Sequence, residues 1–108
     1  MDRSTMLQRV KKRVPENRFN HILGVMKTAM ALAQTFNVSE EKAQIAAILH
    51  DVAKFSDRDW MKSIIKKQQM DPLLLEYHSE LWHAPVGAYV ASYEFGVNDE
   101  DILNAIRY

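Results

Sequence analysis

The chain has 108 residues, of which 47% are hydrophobic and 26% are charged, a composition typical of one small folded domain rather than a disordered segment. Fourteen basic and fourteen acidic side chains cancel, so the net charge offers nothing to attract nucleic acid or an anionic membrane surface. Cysteine is absent, which excludes disulfides, thiolate metal sites and a cysteine nucleophile, so any metal must be held by His, Asp or Glu.

Helix dominates the predicted secondary structure. Three glycines and three prolines leave few breaks, and no segment shows sustained two-residue alternation, so we predict an all-α bundle of about five to six helices. The N-terminal residues lack the apolar core of a signal peptide, and no apolar run approaches the ~18 residues that a membrane span needs. We therefore expect one cytoplasmic domain, residues 1–108, that does not enter a membrane.

Apolar spacing and capping residues define three helices in the first half. Helix 1 is expected from about Ser4 to Arg13, and helix 2 from about Pro15 to Phe36, where apolar residues recur every three or four positions. Ser39 is the predicted N-cap of helix 3, with two glutamates in the first turn where the helix dipole favours them. Helix 3 is predicted to end at or just past His50-Asp51.

The second half is predicted to contain three further helices and a short connecting helix or turn around residues 73–77. Their boundaries are set by capping or helix-breaking residues at Ser56-Asp57, Asp71-Pro72, Pro85, Gly96 and Asn98. Helix 4 is predicted to bury Trp60, helix 5 to begin at Pro85, and helix 6 to be capped by Asn98.

The pair His50-Asp51 closes the apolar run 43–49, which predicts a helix buried on nearly every face. Burying an unpaired Asp is expensive, and a negative charge at a helix C-terminus opposes the helix dipole. A bound cation would resolve both problems, and imidazole plus carboxylate suits a borderline divalent metal. Two alternatives remain open: a helix that simply ends in two polar surface residues, and a salt bridge from Asp51 to Lys54.

The other histidines differ in how much they suggest a site. His21 lies three positions after Arg18, so the two share a helix surface, and Arg18 falls within the apolar arc, where arginine is rare without an anionic partner. Taken alone, His21 would be an ordinary, hydrogen-bonded, partly buried histidine at the edge of that arc. His83 is predicted at a helix N-terminus, where it either helps to attract an anion or acts as a cap, and His78 is predicted to be a solvated loop residue.

Four blocks of sequence, in this order and spacing, resemble a known family over essentially the whole chain. They are Arg18-Phe-Asn-His21-Ile-Leu-Gly-Val25, Leu49-His50-Asp51-Val-Ala-Lys54, His83-Ala-Pro-Val-Gly-Ala88 and Asn104-Ala-Ile-Arg-Tyr108. They resemble the HD-domain metal-dependent phosphohydrolases, and among these the YqeK-type symmetrical diadenosine tetraphosphate hydrolases. The resemblance implies an all-α HD-domain fold with its metal site among the central helices.

The resemblance also implies roles for individual residues. The implied metal ligands are His21, His50 and Asp51. The residues implied to contact the polyphosphate substrate are Arg18, Lys54 and His83, with a second metal as an alternative for His83. Asp51 and Lys54 are the implied catalytic residues. The metal is expected to be iron, or else manganese or another divalent ion, and the implied reaction cleaves diadenosine tetraphosphate to two ADP through a metal-activated water.

Members of the resembled family continue past the block that ends at Tyr108, with a His directly after it and a later Asp that completes the metal shell. We therefore expect residues 1–108 to be a single HD-type domain that is incomplete at its C-terminus. The alternative function is a non-catalytic module that binds metal or nucleotide, and a third is a plain helical interaction domain. A homodimer is a further expectation, because exposed apolar faces on helices 5 and 6 would tend to pair.

Overall fold

A computed structural model describes residues 1–107, and within them all regular structure is helical. The α-helices are α1 Arg3–Lys11, α2 Glu16–Thr35, α3 Glu40–Leu49, α4 Arg58–Lys67, α5 His83–Tyr93 and α6 Glu100–Arg107, and short 3-10 helices span Pro72–Glu76 and Ser79–Leu81. The all-α prediction is confirmed. Tyr108, the last residue of the fourth sequence block, lies outside the described residues.

The long helix α2 packs along α3, and this is the most extensive helix pairing within residues 1–107. Ser39 caps α3 as predicted, because its side chain accepts a hydrogen bond from the backbone N–H of Lys42. Ile22 of α2 and Ile48 of α3 are fully buried between the helices. Asn37 ends α2 with a φ of 54°, a left-handed conformation that asparagine tolerates better than most residues. The α2–α3 pair is thus held by a continuous apolar interface.

The second half of the chain closes the core from the other side. α5 packs on α6, and α6 also packs on α3. Trp82 is 5% exposed and anchors the two 3-10 helices, since its indole N–H donates a hydrogen bond to the carbonyl of Leu74 at 2.5 Å. Arg13, just after α1, forms an ion pair with Glu94 at the end of α5. None of the helices in residues 1–107 has the length and hydropathy that crossing a bilayer requires.

Three local predictions are wrong. α5 begins at His83 rather than Pro85, because proline is tolerated within the first helical turn, where backbone N–H groups have no intrahelical acceptor. The cap of α6 is Asp99 rather than Asn98: its Oδ1 accepts hydrogen bonds from the N–H groups of Asp101 at 2.9 Å and Ile102 at 3.3 Å. Trp60 is 36% exposed rather than buried, and Arg13 lies over its ring.

Candidate metal and phosphate site

Two neighbouring helices bring the predicted metal ligands together. His21 lies in the second turn of α2, while His50 and Asp51 directly follow the last residue of α3. One ligand atom from each of the three residues lies within 4.8 Å of the other two. A cation bound at about 2.0–2.2 Å places neighbouring ligand atoms ~3–4 Å apart, so a small side-chain adjustment would allow all three to hold one ion. The donor set therefore fits a divalent metal.

Asp51 is the one buried polar or charged residue in the part of the chain that the structure describes, with 6% of its surface exposed. Its Oδ2 lies 3.2 Å from Nε2 of His50 and 3.6 Å from Nη1 of Arg18. Those two residues are its ion partners within residues 1–107; Lys54 instead donates its backbone N–H to the Asp51 carbonyl at 3.0 Å. The alternative of a simple Asp51–Lys54 salt bridge is not what the structure contains.

The imidazole of His50 is oriented by the helix that carries it. Its Nδ1 lies 2.5 Å from the carbonyl oxygen of Ala47, and because a carbonyl only accepts, Nδ1 carries the proton. Nε2, when it carries no proton, is an acceptor that lies close to the carboxylate of Asp51. Two acceptors facing each other at 3.2 Å call for a shared proton or a cation between them. A backbone carbonyl that fixes the ring in this way is a common second partner of metal-binding histidines.

His21 and Arg18 are more exposed than the helical wheel predicts. His21 is exposed and lines a shallow groove of about 500 Å³ along α2 with Gly24 and Leu32. The Arg18 side chain is 28% exposed. Its Cζ lies over the ring of Phe55, 5.8 Å from the ring centre, so the guanidinium is close to both the Asp51 carboxylate and an aromatic face. Phe55 was not among the residues that the sequence suggested.

The remaining predicted residues are not part of the ligand cluster. Lys54 is half-buried three residues after Asp51. His83 is half-buried at the first residue of α5, as expected for a helix N-terminus, and lines a separate groove of about 860 Å³ together with Tyr89. The lining of that groove includes none of the three predicted metal ligands. His78 is exposed, as predicted, and its Nδ1 accepts a hydrogen bond from the N–H of Glu80.

Comparison with known proteins gives a consistent result. The family model described as HD domain matches residues 18–108. The chain is 52% identical over 108 residues to the symmetrical bis(5'-nucleosyl)-tetraphosphatase of Bacillus subtilis (strain 168), and 44% identical over 108 residues to the relative of the same name from Halalkalibacterium halodurans. Both matches cover 100% of this chain and 58% of the relative.

A solved structure is also similar. It is a crystal structure from Clostridium acetobutylicum described as a predicted HD superfamily hydrolase involved in NAD metabolism. The TM-score is 0.91 at 32% sequence identity, and the match covers 99% of this chain and 57% of that one. The chain thus spans somewhat more than half the length of the proteins it matches.

Proposed function

The chain belongs to the HD domain family, and on this basis we propose that it contributes a metal-dependent phosphohydrolase site that cleaves diadenosine tetraphosphate to two ADP. The observation that carries the proposal is the convergence of His21, His50 and Asp51. Arg18 pairs with Oδ2 of Asp51, the oxygen that also lies next to His50. The name of the two relatives supports the choice of a dinucleoside tetraphosphate as substrate.

The three converging residues are the proposed metal ligands. When bound, a divalent cation would supply an activated water and neutralise part of the phosphoryl charge. Two imidazoles and one carboxylate are donors that ferrous iron accepts readily, and manganese accepts carboxylate and imidazole as well. We therefore propose iron, with manganese as the second choice. The proton on Nδ1 of His50 leaves Nε2 free to bind a cation.

Arg18 is proposed to bind the polyphosphate. It forms an ion pair with Asp51 of the ligand cluster at 3.6 Å, and this pair engages only part of a guanidinium that has five N–H donors. Lys54 and His83 are proposed to bind further phosphate oxygens, with Asp51 and Lys54 as the catalytic residues. The positive charges of Arg18 and Lys54 would lower the barrier by stabilising the charge that builds on the phosphoryl oxygens.

In the proposed reaction, the oxygen of water forms a bond to one of the two central phosphorus atoms. The bond from that phosphorus to the central bridging oxygen breaks, and the bridging oxygen leaves with the other half of the molecule. The proton lost by water is released to solvent, and each half is ADP. No covalent intermediate with the protein is needed.

The test is product analysis with metal supplied. The 108-residue chain is incubated with diadenosine tetraphosphate and Fe²⁺ or Mn²⁺ in ¹⁸O-labelled water. We expect ADP as the product, with one ¹⁸O label for each pair of ADP molecules. Formation of ATP and AMP would contradict the symmetrical cleavage. Binding of metal and nucleotide without release of ADP would instead support the non-catalytic module.

The ligand assignment has its own test. His50→Ala removes a proposed ligand, so the metal content after loading and desalting should fall well below that of the wild type. His78→Ala, a change of the same kind at an exposed histidine outside the cluster, is the matched control and should keep full metal content. Equal metal content in all three proteins would contradict the assignment. The cytoplasmic location and the homodimer stay predictions.

A further inference from the structure

Phe55 is an aromatic residue whose position packing alone does not explain. It lies in the consecutive turns that follow α3 and stays 45% exposed. Backbone hydrogen bonds from Lys54 to Asp51 and from Ser56 to Ala53, at 3.0 and 3.1 Å, fix this stretch relative to the buried carboxylate. The backbone around Phe55 is therefore held in a defined turn next to Asp51, while much of the residue is exposed to solvent.

The ring of Phe55 faces the proposed phosphate-binding arginine. Cζ of Arg18 lies 5.8 Å from the ring centre, within the range of a cation–π contact. Arg18 also has one ion pair with Asp51, at 3.6 Å. A single contact of that length leaves a long side chain free to rotate, whereas a second contact with an aromatic ring restricts the orientation of the guanidinium. Phe55 supplies this second contact.

We propose that Phe55 is a positioning residue that holds the Arg18 guanidinium in the orientation in which it binds a phosphate group. This proposal rests on the proposed function, because the phosphate-binding role of Arg18 is part of that function. A preoriented arginine loses less side-chain freedom when the anion binds, so the contact increases affinity without touching the ligand. An exposed cation–π contact of this kind corresponds to a factor of about two to five in affinity.

The test uses inorganic pyrophosphate as the probe and metal-free protein, so that it does not depend on turnover. Phe55→Leu should raise the dissociation constant about two- to fivefold, while Phe55→Tyr, which keeps the aromatic face, should restore the wild-type value. Phe36→Leu is the matched control, because Phe36 is 71% exposed at the far end of α2. An unchanged dissociation constant in Phe55→Leu would overturn the proposal.

A double-mutant cycle separates positioning from direct contact with the ligand. In an Arg18→Gln background, Phe55→Leu should have no further effect on pyrophosphate binding. If the effect persists in that background, or if Phe55→Leu weakens binding of adenosine and not of pyrophosphate, the ring touches the nucleotide itself and the positioning role is wrong.

A spectroscopic signature tests the contact directly. The side-chain N–H resonances of Arg18 should be shifted upfield by the ring current, and the shift should disappear in Phe55→Leu and remain in Phe55→Tyr. Wild-type protein that binds no pyrophosphate would contradict the phosphate-binding role of Arg18 and so the proposed function as well. Normal ADP release combined with wild-type behaviour of Phe55→Leu would overturn the role of Phe55 alone.

Discussion

Replacing Asp51 with Asn removes one charge from the buried centre of the site and keeps the size of the side chain. The partners of that charge, Arg18 and His50, have side chains that are 28% and 32% exposed. Ion pairs with such partly solvated groups contribute ~1 kcal/mol at most, and loss of the buried charge also removes its desolvation cost. Without metal, Asp51→Asn should therefore leave the free energy of unfolding within about 1 kcal/mol of the wild type.

Bound metal should make the stability difference between Asp51→Asn and the wild type much larger. A cation that binds only the folded protein stabilises it by RT ln(1 + [L]/Kd), which is ~2.7 kcal/mol at a concentration of about 100 times Kd. For a domain of this size, that free energy corresponds to a rise in Tm of roughly 10–20 °C. Asp51 is the one anionic member of the cluster with His21 and His50, so Asp51→Asn should lose most of the rise.

The assay is thermal unfolding followed by circular dichroism, with a chelator and then with Mn²⁺ at about 100 times the wild-type Kd. Asp59→Asn is the matched control, because Asp59 is an exposed carboxylate in the first turn of α4, outside the cluster. It should keep the full metal-dependent rise in Tm. An equal rise in Asp51→Asn would refute the metal site, and a loss of several kcal/mol without metal would show that the carboxylate has a structural role instead.

Three further substitutions concern the region where α6 packs on α3 and α5. The side-chain hydrogen bond from Lys42, followed by backbone hydrogen bonds, holds the pKa of Asp99 below its ordinary value of 3.8. The charge of Asp99 therefore stabilises the fold above pH 3.8. At neutral pH, the free energy of unfolding of Asp99→Asn should be lower than that of the wild type, and the difference should vanish as the pH falls below 3.8. A difference that stays constant with pH would contradict this. Gly87→Ala should raise the free energy of unfolding by about 1 kcal/mol in urea denaturation, because a Cβ there meets Ile106 at an ordinary 3.5 Å and alanine favours helix. Gly96→Ala should lower it by about 1–2 kcal/mol, because Gly96 has a φ of +69°; the same sign for both glycines would refute the argument.

The helices could be predicted because their signals are local. Ser39 and the glutamates after it mark the start of α3 within a few residues, and the apolar period of α2 extends over five turns. The cap of α6 could not be assigned in this way, because Asn98 and Asp99 are both good capping residues. Asp99 is the cap in the structure, where it also forms an ion pair with Lys42 of α3 at 3.0 Å. A local sequence pattern does not reveal that tertiary contact.

The site was predictable to the extent that its residues share a helix or an adjacent turn. The sequence placed Arg18 beside His21 and identified His50-Asp51 as a pair, and the packing of α2 on α3 brings the two sets together. The exposure of Arg18 and His21 was less predictable, because a helical wheel shows the apolar arc of a helix but not which part of that arc a neighbouring helix covers. Phe55 was missed because it lies in a turn without periodicity, and its partner is on another helix. The roles of these residues stay predictions.

The contact between Nδ1 of His50 and the carbonyl of Ala47 links the proposed site to the backbone of α3. Ala47 contributes one of the last four carbonyls of that helix, the groups that lack a regular intrahelical partner. A ring held by a cation at Nε2 would keep this carbonyl engaged, so the end of α3 would fray less often. A bound cation would then slow the hydrogen exchange of the amides around residues 50–54, even in a protein that never turns over substrate.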